Sequence, residues 1–267
     1  MNTGLKKLKR ILDNSLSFQY SSAASMYVLN GQRPSKQFGS NCYEQSRNIR
    51  NELTKAGFDQ TYYIEDMIVG RHRSILCYTN KRRFIFCPYF MHRELIDVDG
   101  IKDTRTIPAY PIVQGVPSTI RVMREGDIIT IAKDWPGQER VDRFTFNLTR
   151  GISDDLDFND YIFRALHEEQ TTLSIRFLDQ KTGTVDHLIC VADTNHLNEE
   201  LYIRTNEGVR IPRSDRAVFN TKLSTLASII SVDANDAIDF LLKARVLHEK
   251  FRINKPTRAN TPVPFSY

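Results

Sequence analysis

From Tyr62 to Ile131 the sequence runs as short stretches of β-forming residues separated by turn signals. That pattern predicts antiparallel strands joined by tight turns. It sets strands over Tyr62–Val69, His72–Tyr78 and Arg83–Tyr89, with Thr79-Asn80-Lys81-Arg82 as the hairpin signal between the last two. Ile107–Val113, Thr119–Arg124, Asp127–Ala132 and Arg143–Leu148 follow. GISDDLDFNDYIFRAL then reads as a loop with a short helix. A second hairpin, LSIRFLDQKTGTVDHLICVA, turns at Lys181-Thr182-Gly183, and Leu201–Arg204 and Val209–Ile211 complete the set. Strands this short at this spacing suggest an antiparallel barrel.

The two ends of the chain have helical periodicity. Leu5, Leu8, Ile11 and Leu12 share one face, and a weaker helix spans Ser21–Leu29 before Asn30-Gly31. A third helix opens at FGSNCYE. Ser40 or Asn41 serves as N-cap, Glu44 complements the dipole, and Gly57 ends the helix. Stepping back along its inward face from Ile49 through Ser46 reaches Cys42. Near the other end, Asp233 caps a helix reaching about Phe251, with Ala237, Phe240, Leu241, Ala244 and Leu247 on one face. The tail NKPTRANTPVPFSY has no periodicity.

Composition narrows the function classes. The 267 residues are 40% hydrophobic and 26% charged, as in an ordinary globular chain. No apolar run approaches the roughly eighteen residues of a membrane helix. MNTGLKKLKRILDN lacks the apolar core and cleavage site of a secretory signal. The expectation is a cytoplasmic protein whose cysteines (Cys42, Cys77, Cys87, Cys190) are free thiols. The net charge of +5 includes two basic clusters, Lys6, Lys7, Lys9 and Arg10, then Lys81, Arg82 and Arg83. Such runs are ordinarily solvated surface; the functional reading is a landing site for a phosphate-bearing or acidic partner. No interleaved aromatic and basic motif points to nucleic acid.

Cys42 is the candidate nucleophile. A helix N-terminus lowers a thiol pKa, and its backbone N–H groups can hold an oxyanion. Gly39 permits close substrate approach, and the oxyanion donors are the N–H groups of Cys42 and Tyr43. A base must reach the sulfur, and a third group must orient the base. His72, at a strand start, is the candidate base, with His92 as fallback. A two-residue loop at Thr79-Asn80 would set His72 directly across from Cys87, making residue 87 the orienter. Cys77 and Cys190 are read as structural. Cys42, His72 and Cys87 could alternatively bind zinc, although they lack paired spacing.

The order of these elements resembles the arylamine N-acetyltransferases, within the papain- and transglutaminase-like superfamily. The stretches that carry the resemblance are FGSNCYEQSRNIRNELTKAGF, RHRSILCYTNKRRFIFCPYF and FTFNLTRGISDDLDFNDYIF followed by LSIRFL. The resemblance spans residues 1 to about 215. It implies an α+β fold made of an N-terminal helical bundle, an antiparallel β-barrel and a C-terminal α/β lid. The corresponding segments are 1–66, 67–195 and 196–253, with 254–267 as a tail. It also implies Cys42 as acyl acceptor and His72 as base. The family's third residue is an aspartate, and that position holds Cys87 here. Three explanations stand open. A Cys42–His72 dyad acts with help from elsewhere, Asp66 or another carboxylate fills in, or the site is lost.

The function expected is an acyltransferase that carries an acyl group from coenzyme A or an acyl carrier protein through Cys42 to an amine, with no bound cofactor. Amide synthesis in biosynthesis is included. The rivals are a transglutaminase- or peptidase-like hydrolase and an inactive binding scaffold. The partners expected are an amine and an acyl thioester, with no nucleic acid and no membrane.

Overall fold

The computed structural model describes residues 3–68, 72–79, 81–116, 118–135, 141–155, 171–192 and 201–253. The expected helix within 151–166 lies mostly outside these residues, as do His167, His196 and the tail. The chain divides into two compact units, residues 1–18 with 42–156 and residues 19–41 with 157–267. Neither unit is one continuous stretch of chain. Among the described residues, no helix is long and apolar enough to cross a membrane.

In chain order the elements begin with α1 (Thr3–Ser17), β1 (Tyr20–Ser21), α2 (Ser22–Leu29) and α3 (Cys42–Lys55). Strands β2 (Thr61–Glu65), β3 (Arg73–Thr79), β4 (Arg82–Phe86) and β5 (Ile96–Asp97) come next. Then follow β6 (Thr104–Pro108), β7 (Thr119–Glu125), β8 (Ile128–Asp134), β9 (Val141–Asn147) and β10 (Ile152–Ser153). The last are β11 (Thr172–Asp179), β12 (Thr184–Val191), β13 (Leu201–Arg204), β14 (Arg210–Pro212), α4 (Arg216–Ile229) and α5 (Ala234–Ile253).

The first unit is built on the two faces of one sheet, ordered β10-β2-β3-β4-β5. Side chains alternate across a strand, so odd and even positions face opposite ways. Tyr63, Ile75, Cys77, Phe84 and Phe86 point to one side, where Leu8, Ile11 and Leu12 of α1 and Ile49 and Leu53 of α3 cover them. Ile64, Leu76, Ile85 and Cys87 point to the other. There they meet the second sheet, β6-β7-β8-β9, through Ile107, Ile120, Val122, Ile129, Ile131 and Phe146. Complete burial of such side chains stabilises by roughly 1.5–3 kcal/mol each.

The second unit holds the sheet β1-β11-β12-β13-β14 with α2, α4 and α5. The hairpin predicted around Lys181-Thr182-Gly183 joins β11 to β12, with Asp179 opposite Thr184 and Gly183 at φ 77°. Ser21 caps α2 by accepting from the Ala24 N–H at 3.2 Å. The Tyr27 and Phe38 rings both stack on Phe240 of α5, with centroids 4.6 and 4.2 Å away. These sheets and helices make the α+β architecture expected; the described strands form three antiparallel sheets.

Candidate active site

Helix α3 begins at Cys42, and its first turn is buried. Glu44, near the positive helix end, pairs with Arg47 at 2.6 Å; burial still holds its pKa above the ordinary range. Burial also raises the Tyr43 phenol pKa, with Glu44 adding to the effect. One turn beyond Cys42, the Ser46 hydroxyl donates to the Arg73 carbonyl at 2.9 Å. Cys42 and Ser46 share a face of the helix, about 6 Å apart along its axis. The bond therefore ties the start of α3 to the residue that follows His72.

His72 is buried at the start of β3. Its ring lies flat on Phe144, with centroids 3.9 Å apart and planes 5° from parallel, and Tyr89 meets it edge-on at 5.5 Å. The Nε2 atom is 3.2 Å from the Cys87 sulfur and 3.2 Å from the Ser74 hydroxyl. His72 and Cys87 are thus together, but not through the expected register. Thr79 pairs with Arg82, so Thr79 belongs to the strand and not to the loop. Lys81 supplies the left-handed turn residue at φ 63°. Ile75 opposes Phe86, and the next step sets Ser74, not His72, across from Cys87. A two-residue shift preserves which face each side chain occupies. His72 therefore reaches Cys87 as a diagonal neighbour.

Cys87 is fully buried, and Pro88 opens a 3-10 turn behind it. Desolvation pushes its thiol up to about 12, while hydrogen bonds from Ser74 and the Phe90 N–H pull it back and repulsion from Cys42 and Asp66 adds to the rise. Burial, aided by the Arg73 guanidinium, lowers His72 to about 3. The third position is thus a neutral thiol and the imidazole is neutral at physiological pH.

Asp66 is buried, but its Oδ1 accepts from the Thr145 N–H at 2.8 Å and its own N–H donates to the His72 carbonyl at 3.1 Å. It fixes the backbone around His72. His92, the fallback base, is committed to structure. Its Nε2 accepts from the Cys87 N–H at 3.1 Å, which leaves Nδ1–H to donate to the Glu94 carbonyl at 2.7 Å. Burial lowers His92 to about 4, consistent with that neutral tautomer. Cys77 and Cys190 are buried in strands; desolvation takes Cys77 up to about 12. Among the described residues, no group of three or more His, Cys, Asp or Glu side chains is placed to hold a metal ion.

Gly39 belongs to the second unit, at φ 81° and ψ −163°. A Cβ there would meet the Gln19 carbonyl oxygen at 2.1 Å. Close backbone packing by itself accounts for the glycine. Of the basic clusters, Arg82 pairs with Asp97 and Arg83 clasps Asp99 at 2.7 Å, so the second cluster is largely absorbed by ion pairs. In the first, Lys9 pairs with Asp13, while Lys6, Lys7 and Arg10 are exposed. Ser74 and Phe144 are the site residues that sequence reasoning passed over. Ser74 had a usable signal, two positions from His72 on the same strand face.

No family model and no curated protein matches the sequence. Solved structures do match. The arylamine N-acetyltransferase of Mycobacterium abscessus superposes with a TM-score of 0.55 at 14% identity, over 91% of this chain and 88% of that one. The arylamine N-acetyltransferase (NAT) of Salmonella typhimurium gives 0.52 at 10% identity, over 92% and 99%. The chain thus has the fold of the arylamine N-acetyltransferases.

Proposed function

We propose that this protein is a cysteine-dependent acyltransferase of the cytoplasm. It takes an acyl group from a thioester of coenzyme A or a carrier protein and passes it through Cys42 to an amine. The observation that carries the reading is the tie from Ser46 to Arg73, which couples the helix opened by Cys42 to the strand that directly follows His72. The Cys42 sulfur attacks the thioester carbonyl carbon while His72 takes the thiol proton. Backbone N–H groups at Cys42 and Tyr43 hold the oxyanion. The donor's C–S bond breaks, and the proton from His72 leaves with the departing thiol. An amine then attacks acyl-Cys42, His72 takes a proton from the nitrogen, and the amide leaves as the Cys42 thiol re-forms. With a neutral imidazole and a neutral third residue, proton transfer accompanies attack and does not precede it. Exposed Lys6, Lys7 and Arg10 offer positive charge to a phosphate-bearing donor. The acceptor class includes the amine of a larger biosynthetic intermediate, making the enzyme an amide synthase.

Intact-mass spectrometry after incubation with acyl thioesters tests this. The expected result is one acyl mass on wild type, absent from Cys42→Ala and released by an amine. No adduct with any donor, or an adduct that persists in Cys42→Ala, refutes it.

A further inference from the structure

The Nε2 atom of His72 faces two acceptors at the same distance, the Ser74 hydroxyl and the Cys87 sulfur, each at 3.2 Å. They are unequal. A hydroxyl oxygen offers two lone pairs of ordinary acceptor strength, while a thiol sulfur is a weak acceptor. Ser74 is fully buried, and its place in the ladder is fixed opposite Ile64 of β2. We propose that Ser74 is the positioning residue of this site: its hydroxyl, not the Cys87 thiol, accepts the Nε2–H of His72 and holds the imidazole in the tautomer that leaves Nδ1 as the base.

The hydrogen-bond directions close without conflict. His72 Nε2–H donates to the Ser74 oxygen, which leaves the Ser74 O–H to turn toward the Cys87 sulfur. A serine hydroxyl, with one proton and two lone pairs, can do both. Cys87 then serves as the end of a relay rather than as the orienter. With Nε2 carrying the proton toward Ser74, Nδ1 is the nitrogen whose lone pair this tautomer leaves to take a proton. Phe144 limits tilt of the ring out of its plane but accepts no in-plane hydrogen bond, so it cannot choose between the two nitrogens. The hydrogen bond to Ser74 makes that choice.

The effect on rate rests on the acyl-transfer reading; the tautomer does not. Two-bond 1H–15N correlation of the imidazoles at neutral pH, assigned with His72→Gln, reads the tautomer. Single-turnover acylation of Cys42 reads the rate. Wild type and Cys87→Ala are expected to show His72 protonated on Nε2, whereas Ser74→Ala shows mixed tautomers; Ser74→Ala acylates roughly ten- to a hundredfold more slowly than wild type, and Cys87→Ala loses less rate than Ser74→Ala. Ser74→Cys, which keeps the size but weakens the acceptor, is expected to fall between and covers the case of an unstable alanine variant. A wild-type ring protonated on Nδ1 overturns the proposal. So does a Ser74→Ala enzyme with unchanged tautomer and rate, or a loss carried by Cys87→Ala instead. If the tautomers behave as stated but Cys42 takes no acyl group, the acyl-transfer reading fails while the role of Ser74 stands.

Discussion

Gly39→Ala should unfold the protein far more readily, and the size of the effect follows from the backbone. At φ 81° and ψ −163°, residue 39 occupies a region open essentially to glycine, so any side chain adds about 1–3 kcal/mol of strain. The new Cβ would lie 2.1 Å from the Gln19 oxygen and 2.6 Å from its carbon, whereas ordinary contact begins at 3.4 Å. The Gln19 carbonyl must retreat by more than 1 Å, and that carbonyl accepts the Ser40 N–H at 3.0 Å. Losing the bond adds about 1 kcal/mol. The total is about 2–4 kcal/mol, measurable as a lowered midpoint in urea unfolding at unchanged slope. Gly57→Ala is the internal control. It shares a positive φ of 87° but has nothing within 4 Å, so it should lose only about 1–2 kcal/mol. Equal losses in the two variants, or a Gly39→Ala loss under about 0.5 kcal/mol, would refute the packing argument.

Acid should destabilise the first unit through its buried imidazoles. His72 and His92 are lowered to about 3 and about 4, so an unfolded chain near 6.5 binds protons that the folded one does not; this stability is complete above pH 6.5 and drains as pH falls. At pH 4.5 each should have forfeited about 2.5 kcal/mol, and the stability difference between pH 7.5 and 4.5 should shrink by that amount in His72→Gln. Identical pH dependence in the two proteins would contradict it. Lys133, fully buried, donates to the carbonyls of Phe90 and Tyr110; Lys133→Met should cost about 2–4 kcal/mol in denaturant unfolding, and a neutral result would count against the assignment. Phe144→Leu removes the ring stacked on His72 and should cost about 1 kcal/mol, with acylation of Cys42 slowed; an unchanged rate would exclude the ring from ordering the base.

The sequence was most legible where a short-range signal and the tertiary environment agree. The helix at Cys42, the β11–β12 hairpin and α5 have strong periodicity and a breaker at one end, and each lies close to its predicted position. The β3–β4 register was not legible, because Thr79, Asn80, Lys81 and Arg82 offer several two-residue loops and only side-chain packing chooses among them. Helix α4 has a usable signal in Phe219, Leu223 and Leu226, but the Ser and Thr residues between them weaken helix propensity and hide it. Phe144 was beyond reach for another reason. Alternation marks it as facing one side of β9, and nothing local says that His72 lies on that side.

The pairing of Tyr20 with Arg176 sets an order on biosynthesis. The segment 19–41 leaves the ribosome early, with Met26, Tyr27, Val28 and Leu29 destined for a core whose remaining strands and helices are translated after residue 156. Until then these apolar side chains have no native shelter, and closing so long a loop is slow. A nascent chain stalled after β10 would already hold the bond from Ser46 to Arg73 while carrying an adhesive stretch upstream of it. Chaperone dependence and loss to aggregates should therefore concentrate in that interval of synthesis.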